Sequence, residues 1–246
     1  MYIKNDLIDL VFIGAGDSYW EVYDLINDIN TIKPKYKIIA ILDDNINLIG
    51  QKFNGVNVLG PIFKILPKFL NIDVKFIFGI GSFSSRLKKN SLLHLLNIPT
   101  VKFETLIHPT VKVYSNSKIG YGCILHYGSI IYNNSIINNF TLISASCVIG
   151  VRNLIGEGAL LASGIITTTD IKIGSYSFIG AGVTIAPKVD IAAGAMIGLG
   201  TNVYRNVNEG EFVLGNPTKI LRREKVSKEI LDIWKNNIEE YKLFLK

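Results

Sequence analysis

The sequence is poor in the residue types that carry most enzyme chemistry. Its 246 residues include three histidines, two cysteines, two methionines and two tryptophans. The repeat region described below contains only His108 and His126, which leaves no three-histidine zinc site, so we predict that the protein binds no metal. Cys123 and Cys147 fall on small inward positions of that repeat, which predicts buried structural residues and argues against redox chemistry.

Long apolar runs and basic clusters are also missing. No apolar stretch reaches the roughly 18 residues of a membrane helix, and residues 1–10 are too polar for a signal peptide. We therefore expect a cytoplasmic protein with no membrane partner. The net charge is +6, but the chain has no arginine-rich helix and no basic run with interleaved aromatics, so we expect no nucleic-acid binding. Hydrophobic residues make up 48% of the chain, which supports a sizeable buried core.

What the sequence does contain is a six-residue repeat. An aliphatic residue returns at every sixth position, with Thr167 as the one exception. This period suits a parallel β-helix, in which a short strand and its turn use six residues before a side chain faces the axis again. Three hexads make one coil of about 18 residues. The predicted rungs are Ile107, Val113, Ile119, Leu125, Ile131, Ile137, Ile143, Ile149, Ile155, Leu161, Thr167, Ile173, Ile179, Ile185, Ile191, Ile197 and Val203.

The first hundred residues follow a different pattern, in which apolar strands alternate with helical segments. Strands are predicted at 7–13, 36–42 and 74–80, the last ending in Gly81-Ser82, and helices at 18–29 and 84–96. We therefore predict a Rossmann-like α/β domain over residues 1–104. An all-β parallel β-helix follows over residues 105–223, and an amphipathic C-terminal helix over residues 224–246.

Two features of the first domain could bind a nucleotide. The turn Gly14-Ala15-Gly16 joins the first strand to the first helix, where backbone N–H groups can hold an anion. A dinucleotide fingerprint would need glycine in place of Tyr19, so we do not expect NAD binding. The pair Asp43-Asp44 ends the second strand, where carboxylates can accept hydrogen bonds from a ribose or a base. A turn and helix cap is the alternative interpretation of this pair.

Together these features resemble the hexapeptide-repeat sugar acyltransferases that carry an N-terminal nucleotide-sugar-binding domain. This group includes sialic acid O-acetyltransferases and the bacillosamine- and perosamine-type amino-sugar N-acetyltransferases. The resemblance covers approximately residues 8–223. It rests on residues 11–16, Leu42-Asp43-Asp44, Ile107-His108-Pro109, the hexads and Gly215-Asn216-Pro217-Thr218-Lys219.

This resemblance implies several properties of the protein. The β-helix is expected to be left-handed and the protein a homotrimer, with acetyl-CoA or another acyl-CoA as co-substrate in the groove between neighbouring β-helices. A nucleotide-sugar is expected between the N-terminal domain and the upper coils. Glycines just after the rungs of residues 173–201, including Gly174, leave bare backbone for a pantetheine arm. The predicted nucleotide-sugar contacts are Gly14, Gly16, Asp43 and Asp44, and the predicted CoA contacts are Gly180, Ala181, Gly198, Asn216 and Pro217.

One departure from the family concerns the catalytic histidine, which commonly lies two residues after a rung. Two alignments, 18 residues apart, put that position at Asn133 or Val151, and neither residue is histidine. A second histidine of the family becomes Leu142 or Leu160. A general base supplies about 3–5 kcal/mol, whereas positioning of the reactants supplies roughly 7–11 kcal/mol.

The missing histidine therefore favours transfer to an amine, which is a better nucleophile than a hydroxyl group. We predict an acyl-CoA-dependent N-acyltransferase acting on a nucleotide-linked amino sugar, with Asn133, Asn134 or His126 orienting the amine. Two alternatives stay open. One is a sugar O-acetyltransferase that uses His126 as base, and the other is an inactive nucleotide-sugar-binding or scaffold protein.

Overall fold

The computed structural model describes residues 7–80 and 86–245. The predicted turn Gly81-Ser82 and the first residues of the helix predicted from position 84 lie outside the described residues. The elements of the N-terminal part are β1 (Ile8–Ile13), α1 (Asp17–Ile32), β2 (Tyr36–Leu42), β3 (Lys52–Phe53), β4 (Val56–Gly60), α2 (Ile62–Ile65), α3 (Pro67–Leu70), β5 (Lys75–Phe78) and α4 (Arg86–Leu96). Short 3-10 helices lie at Ile46–Leu48 and Thr100–Lys102.

The N-terminal strands form one sheet in the order β3-β4-β2-β1-β5. Strands β4, β2, β1 and β5 are parallel, and β3 joins the edge as an antiparallel hairpin with β4. Strand β1 is buried on both faces: Leu10 and Phe12 pack with α1, and Val11 and Ile13 pack against the opposite side. Since the carboxyl ends of parallel strands share an edge, the turns after β1, β2 and β5 meet there.

The repeat region folds as a β-helix of two-residue strands. Each strand pairs in parallel with the strand 18 residues further on, for example Ile131 with Ile149, which gives three sheets. Every predicted rung is the second residue of its strand and most rungs are fully buried. The strands β6 to β22 are Leu106–Ile107, Lys112–Val113, Lys118–Ile119, Ile124–Leu125, Ile130–Ile131, Ile136–Ile137, Leu142–Ile143, Val148–Ile149, Leu154–Ile155, Leu160–Leu161, Ile166–Thr167, Lys172–Ile173, Phe178–Ile179, Thr184–Ile185, Asp190–Ile191, Met196–Ile197 and Asn202–Val203.

The turns between the three sheets stack into three corners. We define each corner by its residues in one coil. Corner A contains residues 126–129, corner B residues 132–135 and corner C residues 138–141, each with its equivalents 18 residues away. At each corner one residue adopts a left-handed conformation, as Asn134 does at corner B with φ 60°. Both cysteines are buried inside the β-helix, as predicted.

Thr167, the one polar rung, is buried without loss of hydrogen bonding. Its Oγ1 accepts from the Gly150 backbone N–H at 2.9 Å and from Asn153 Nδ2 at 2.6 Å. Asn153 Oδ1 in turn accepts from the Ile171 backbone N–H at 2.9 Å. A threonine is tolerated at this rung because a buried polar group costs little stability once its hydrogen bonds are made.

The chain ends with a hairpin and a helix. Strands β23 (Glu211–Leu214) and β24 (Lys219–Arg223) extend one sheet of the β-helix, and α5 (Lys228–Phe244) is capped by Ser227, whose Oγ accepts from the Ile230 N–H. The apolar face of α5 packs on Leu154 and Tyr176. This is the fold class predicted from the sequence. None of the helices in the described part of the chain has the length and hydropathy needed to cross a membrane.

Candidate functional site

The start of α1 lies open beside a cavity. The residue before α1 is Gly16, which has no side chain to cap the first turn and has no neighbouring atom within 4 Å of the position of a Cβ. Gly14 has φ +102°, and a Cβ there would lie 2.6 Å from Ile80 Cγ1. No side chain among the described residues caps the first turn of α1, which lies at the positive end of the helix dipole.

The acidic pair lies beside this turn and makes structural hydrogen bonds. Asp43 Oδ2 accepts from the Ala15 N–H at 2.6 Å, and Oδ1 accepts from the Asn45 N–H at 2.7 Å. Asp44 Oδ1 accepts from the Ile62 N–H at 2.8 Å, at the start of α2. The turn-cap interpretation is thus realised. Both residues also line a cavity of about 580 Å³ together with Gly14 and Gly16, so a ligand there would contact them.

A second cavity of about 350 Å³ lies between α1 and corner A. Helix α1 contributes Glu21 and two aspartates, and the β-helix contributes His126 and Ser144. Glu21 lines both cavities and also a narrow gap of about 30 Å³, which His126 lines as well. We call these three neighbouring spaces together the interdomain cleft. The cleft is also lined by Asp24, Asp28, His108, Tyr127, Leu142 and Lys89.

His108 joins the two domains at the outer end of the cleft. Its Nε2 lies 3.1 Å from Asp28 Oδ2, and its Nδ1 lies 2.8 Å from Thr110 Oγ1. Because Nδ1 also accepts from the Thr110 backbone N–H at 3.1 Å, we infer that Nε2 carries the hydrogen that points to Asp28. His108 therefore has partners on both nitrogens and a defined orientation.

His126 stacks one coil above His108 and has the opposite character. Its Nε2 is buried and has no hydrogen-bond partner among the described residues. Burial lowers the pKa of His126, and the nearby His108 lowers it further. The uncharged form of the imidazole is therefore favoured, and its Nε2 has no partner in the described part of the chain.

The other predicted catalytic residues lie elsewhere. Asn133 and Asn134 are at corner B, where Asn133 Nδ2 donates to Ser115 Oγ at 3.0 Å. Val151 occupies the same corner one coil further along. These residues do not line the interdomain cleft, so a single chain does not bring them together with His126. Of the second pair of candidates, Leu142 and Leu160 both line the narrow gap.

The predicted CoA contacts lie on and above corner A. Residues 144, 162, 180 and 198 stack on His126 in successive coils, and Ala181 follows Gly180. A Cβ on Gly180 would lie 2.8 Å from the Leu199 backbone nitrogen, so close coil stacking itself requires glycine there. Gly174 lies at corner C, a different edge of the same chain from Gly180.

At the end of the stack, Asn216 holds the last turns together. Its Oδ1 accepts from the Asn202 N–H at 2.8 Å and its Nδ2 donates to the Gly200 carbonyl at 3.1 Å. The peptide bond between Asn216 and Pro217 is cis. A cavity of about 340 Å³ lies here, lined also by Tyr204 and Arg205.

Lys89 is a cleft residue that the sequence did not indicate, because a lysine in an amphipathic helix normally faces solvent. It is buried on α4, and its Nζ donates to the Phe140 carbonyl at 2.6 Å. Burial lowers the pKa of Lys89 to about 8. The backbone oxygen from corner C explains why the amine is tolerated there.

This lowered pKa predicts a pH-dependent stability. Between about pH 8 and pH 10.5 the unfolded chain holds the Lys89 proton more tightly than the folded protein, so stability rises with pH in that window. A shift of this size corresponds to about 3 kcal/mol. Urea unfolding at pH 7.5 and pH 10 should show this rise, and Lys89→Met should flatten it. Exposed Lys88→Met is the control, and an undiminished rise in Lys89→Met would contradict the assignment.

The N-terminal part of the chain resembles a known domain family. Residues 9–91 match the family model of the PglD N-terminal domain. This match and the shared fold of the solved structures confirm the resemblance to hexapeptide-repeat sugar acyltransferases that the sequence predicts. In the part of the chain that the structure describes, no group of three His, Cys, Asp or Glu side chains could hold a metal ion.

Three solved structures share the fold along most of the chain. PerB from Caulobacter crescentus, in complex with CoA and GDP-perosamine, is 22% identical with a TM-score of 0.75, covering 87% of this chain and 97% of PerB. The acetyltransferase domain of PglB from Neisseria gonorrhoeae FA1090, in complex with acetyl coenzyme A, is 20% identical with a TM-score of 0.73, covering 87% and 100%. WeeI from Acinetobacter baumannii AYE is 24% identical with a TM-score of 0.71, covering 87% and 100%.

Matches to curated sequences are shorter. Serine acetyltransferase 2 of Arabidopsis thaliana is 43% identical over 51 residues, which is 21% of this chain and 16% of that protein. The chain spans between 16% and 36% of the length of the curated relatives it matches.

Proposed function

We propose that this chain is an acyl-CoA-dependent N-acyltransferase that acts on a nucleotide-linked amino sugar in surface-polysaccharide synthesis. The observation that carries the proposal is the interdomain cleft, which joins the anion site at the start of α1 to corner A of the β-helix. PerB, which shares this two-domain fold, binds CoA and GDP-perosamine.

The acceptor would lie along α1. Its phosphates fit the first turn at Gly16, and its nucleoside fits the cavity of Asp43 and Asp44. The 12 residues from Asp17 to Asp28 carry the cleft for about 16 Å at a rise of about 1.5 Å per residue, which leads the sugar towards Glu21 and His126. Carboxylates beside the sugar suit an amine better than a second anion.

The acyl donor would lie on a stripe of small residues on corner A, with its thioester beside His126. The stripe consists of Ser144, Ala145, Ala162, Ser163, Gly180, Ala181 and Gly198. Its far end meets the cavity of Asn216, Pro217 and Arg205, where a cation suits the phosphates of CoA. We include a neighbouring subunit as the second wall of this groove, so a homotrimer is part of the proposal.

Transfer to a hydroxyl group is the second candidate, and the uncharged His126 in the cleft is the observation that favours it. Both are tested by incubating the protein with acetyl-CoA and matched nucleotide-sugars that carry either an amine or a hydroxyl at the same carbon. Release of free thiol and product mass give the outcome. N-acylation supports the first proposal and O-acylation the second, whereas binding without transfer supports a scaffold protein.

Removing the charge of the acidic pair should weaken the acceptor specifically. The double variant Asp43→Asn with Asp44→Asn loses the charge-assisted bonds to the nucleoside. An amide oxygen can replace the single cap of Asp44, but it can keep only one of the two caps of Asp43. We expect nucleotide-sugar affinity to fall about tenfold or more, since such bonds contribute about 1.5–3 kcal/mol each. Calorimetry should show unchanged acyl-CoA affinity. The exposed Asp73→Asn is the charge control, and unchanged sugar affinity in the double variant would leave the pair as caps only.

A further inference from the structure

The Nε2 atom of His126 calls for a hydrogen-bond partner that residues 7–80 and 86–245 do not supply. Leaving a buried polar atom without a hydrogen bond is costly, so such atoms are rare and mark places where a ligand or water belongs. His126 lines both the larger cavity beside α1 and the gap of about 30 Å³, which has room for one water or one ligand group.

The surroundings of His126 favour an uncharged imidazole close to an amine. The charged or titratable groups that share its cavities are Glu21, Asp24 and Asp28 on α1, His108 one coil below, Tyr127 at the same corner, and Lys89 on α4. Burial and the nearby His108 disfavour a positive charge on the His126 ring. The carboxylates of α1 favour a cation in the space in front of it.

We propose that His126 is the catalytic base of the acyl transfer, an inference that rests on the proposed function. The neutral amine nitrogen attacks the thioester carbonyl, and the N–C bond forms while His126 takes the N–H proton. The C–S bond then breaks, and His126 returns the proton to the departing thiolate. The products are the amide and CoA thiol, so His126 ends the cycle uncharged and no other reactant is consumed.

Such a base reaches the reaction from corner A, where the acyl-donor stripe runs. Asn133, the residue at the alignment position of the family histidine, lies at corner B with its amide bonded to Ser115. A proton acceptor one corner away from the usual position would explain how this chain retains base catalysis without a histidine at 133 or 151.

The test uses His126→Asn and His126→Gln in the full-length protein, with acetyl-CoA and a nucleotide-linked amino sugar that the wild type accepts. We expect kcat to fall at least 100-fold in both variants, because a general base contributes 10²–10⁴ in rate, while both KM values change only a few-fold. The acceptor amine titrates in the same way with the wild type and with the variants. A fall of kcat at low pH that the wild type shows and the variants lack is therefore the contribution of His126.

Two comparisons separate the possible failures. Asn133→Ala should lower kcat by less than tenfold, and calorimetry should show that the His126 variants still bind both substrates. A His126→Gln enzyme with kcat within threefold of wild type and an unchanged pH profile would overturn the inference while the proposed function stands. A wild type that binds both substrates but transfers nothing would overturn both.

Discussion

Tyr176→Ala is expected to lower the free energy of unfolding by about 3–5 kcal/mol, the usual cost of removing a buried aromatic ring. Tyr176 is fully buried at corner C and packs in one cluster with Leu154 and Trp234. Its hydroxyl lies 3.1 Å from Glu157 Oε1 and 3.3 Å from Asn90 Oδ1. A single side chain thus connects the β-helix, α5 and α4, so its loss should loosen all three.

Matched variants resolve the contributions to this loss. Tyr176→Phe keeps the ring and should cost about 1–2 kcal/mol, because it removes a hydrogen bond to the half-buried Glu157. The exposed Tyr204→Ala should stay within about 0.5 kcal/mol of wild type. Chemical denaturation followed by circular dichroism measures all three. A Tyr176→Ala variant that unfolds like Tyr204→Ala would show that the cluster does not hold the elements together.

Ala181→Trp should abolish acyl-CoA binding, with affinity at least 100-fold weaker than in the wild type. Ala181 follows Gly180 on corner A, between Ser163 of the previous coil and the exposed Leu199 of the next. An indole there would occupy the small-residue stripe that the proposal assigns to the pantetheine arm. Nucleotide-sugar affinity should not change, because Ala181 does not line the cavities beside α1 and the acidic pair.

The control for this variant is Ala181→Ser, which introduces the residue that the stripe already contains at position 163 and should bind acyl-CoA normally. Calorimetry gives both affinities, and sedimentation with circular dichroism shows whether assembly and fold are retained. If Ala181→Trp remains folded and assembled like the wild type and still binds acyl-CoA with full affinity, the acyl donor lies elsewhere.

Much of the fold could be predicted from the sequence because the signals are local. Each hexad rung marks one strand and one inward side chain, so the pattern alone located the buried residues from Leu125 to Val203. Strand β2 has the predicted bounds 36–42. The hairpin of β3 and β4 was missed, because its strands are only two and five residues long and Lys52, Asn57 and Leu59 are exposed.

The site was less accessible to sequence reasoning, because it depends on how the two domains pack. Nothing in the spacing of Glu21 and His126 indicates that they share a cleft, and nothing around Lys89 indicates burial. The alignment to the family predicts a catalytic position at Asn133, whereas the packing of α1 against corner A brings His126 to the cleft. The binding and catalytic roles of these residues stay predictions.

The 18-residue pairing of the strands fixes distances along the β-helix in units of one coil. Four coils separate His126 from Gly198, a span of about 19 Å at the usual strand spacing. Inserting or deleting a whole coil would lengthen or shorten this span by about 5 Å without changing which residues face the cleft. Inserting a single hexad would turn every later residue by one corner and carry Gly180 and Ala181 away from His126. Evolution can therefore adjust the length of the acyl-donor stripe in steps of one coil, but not in steps of one repeat.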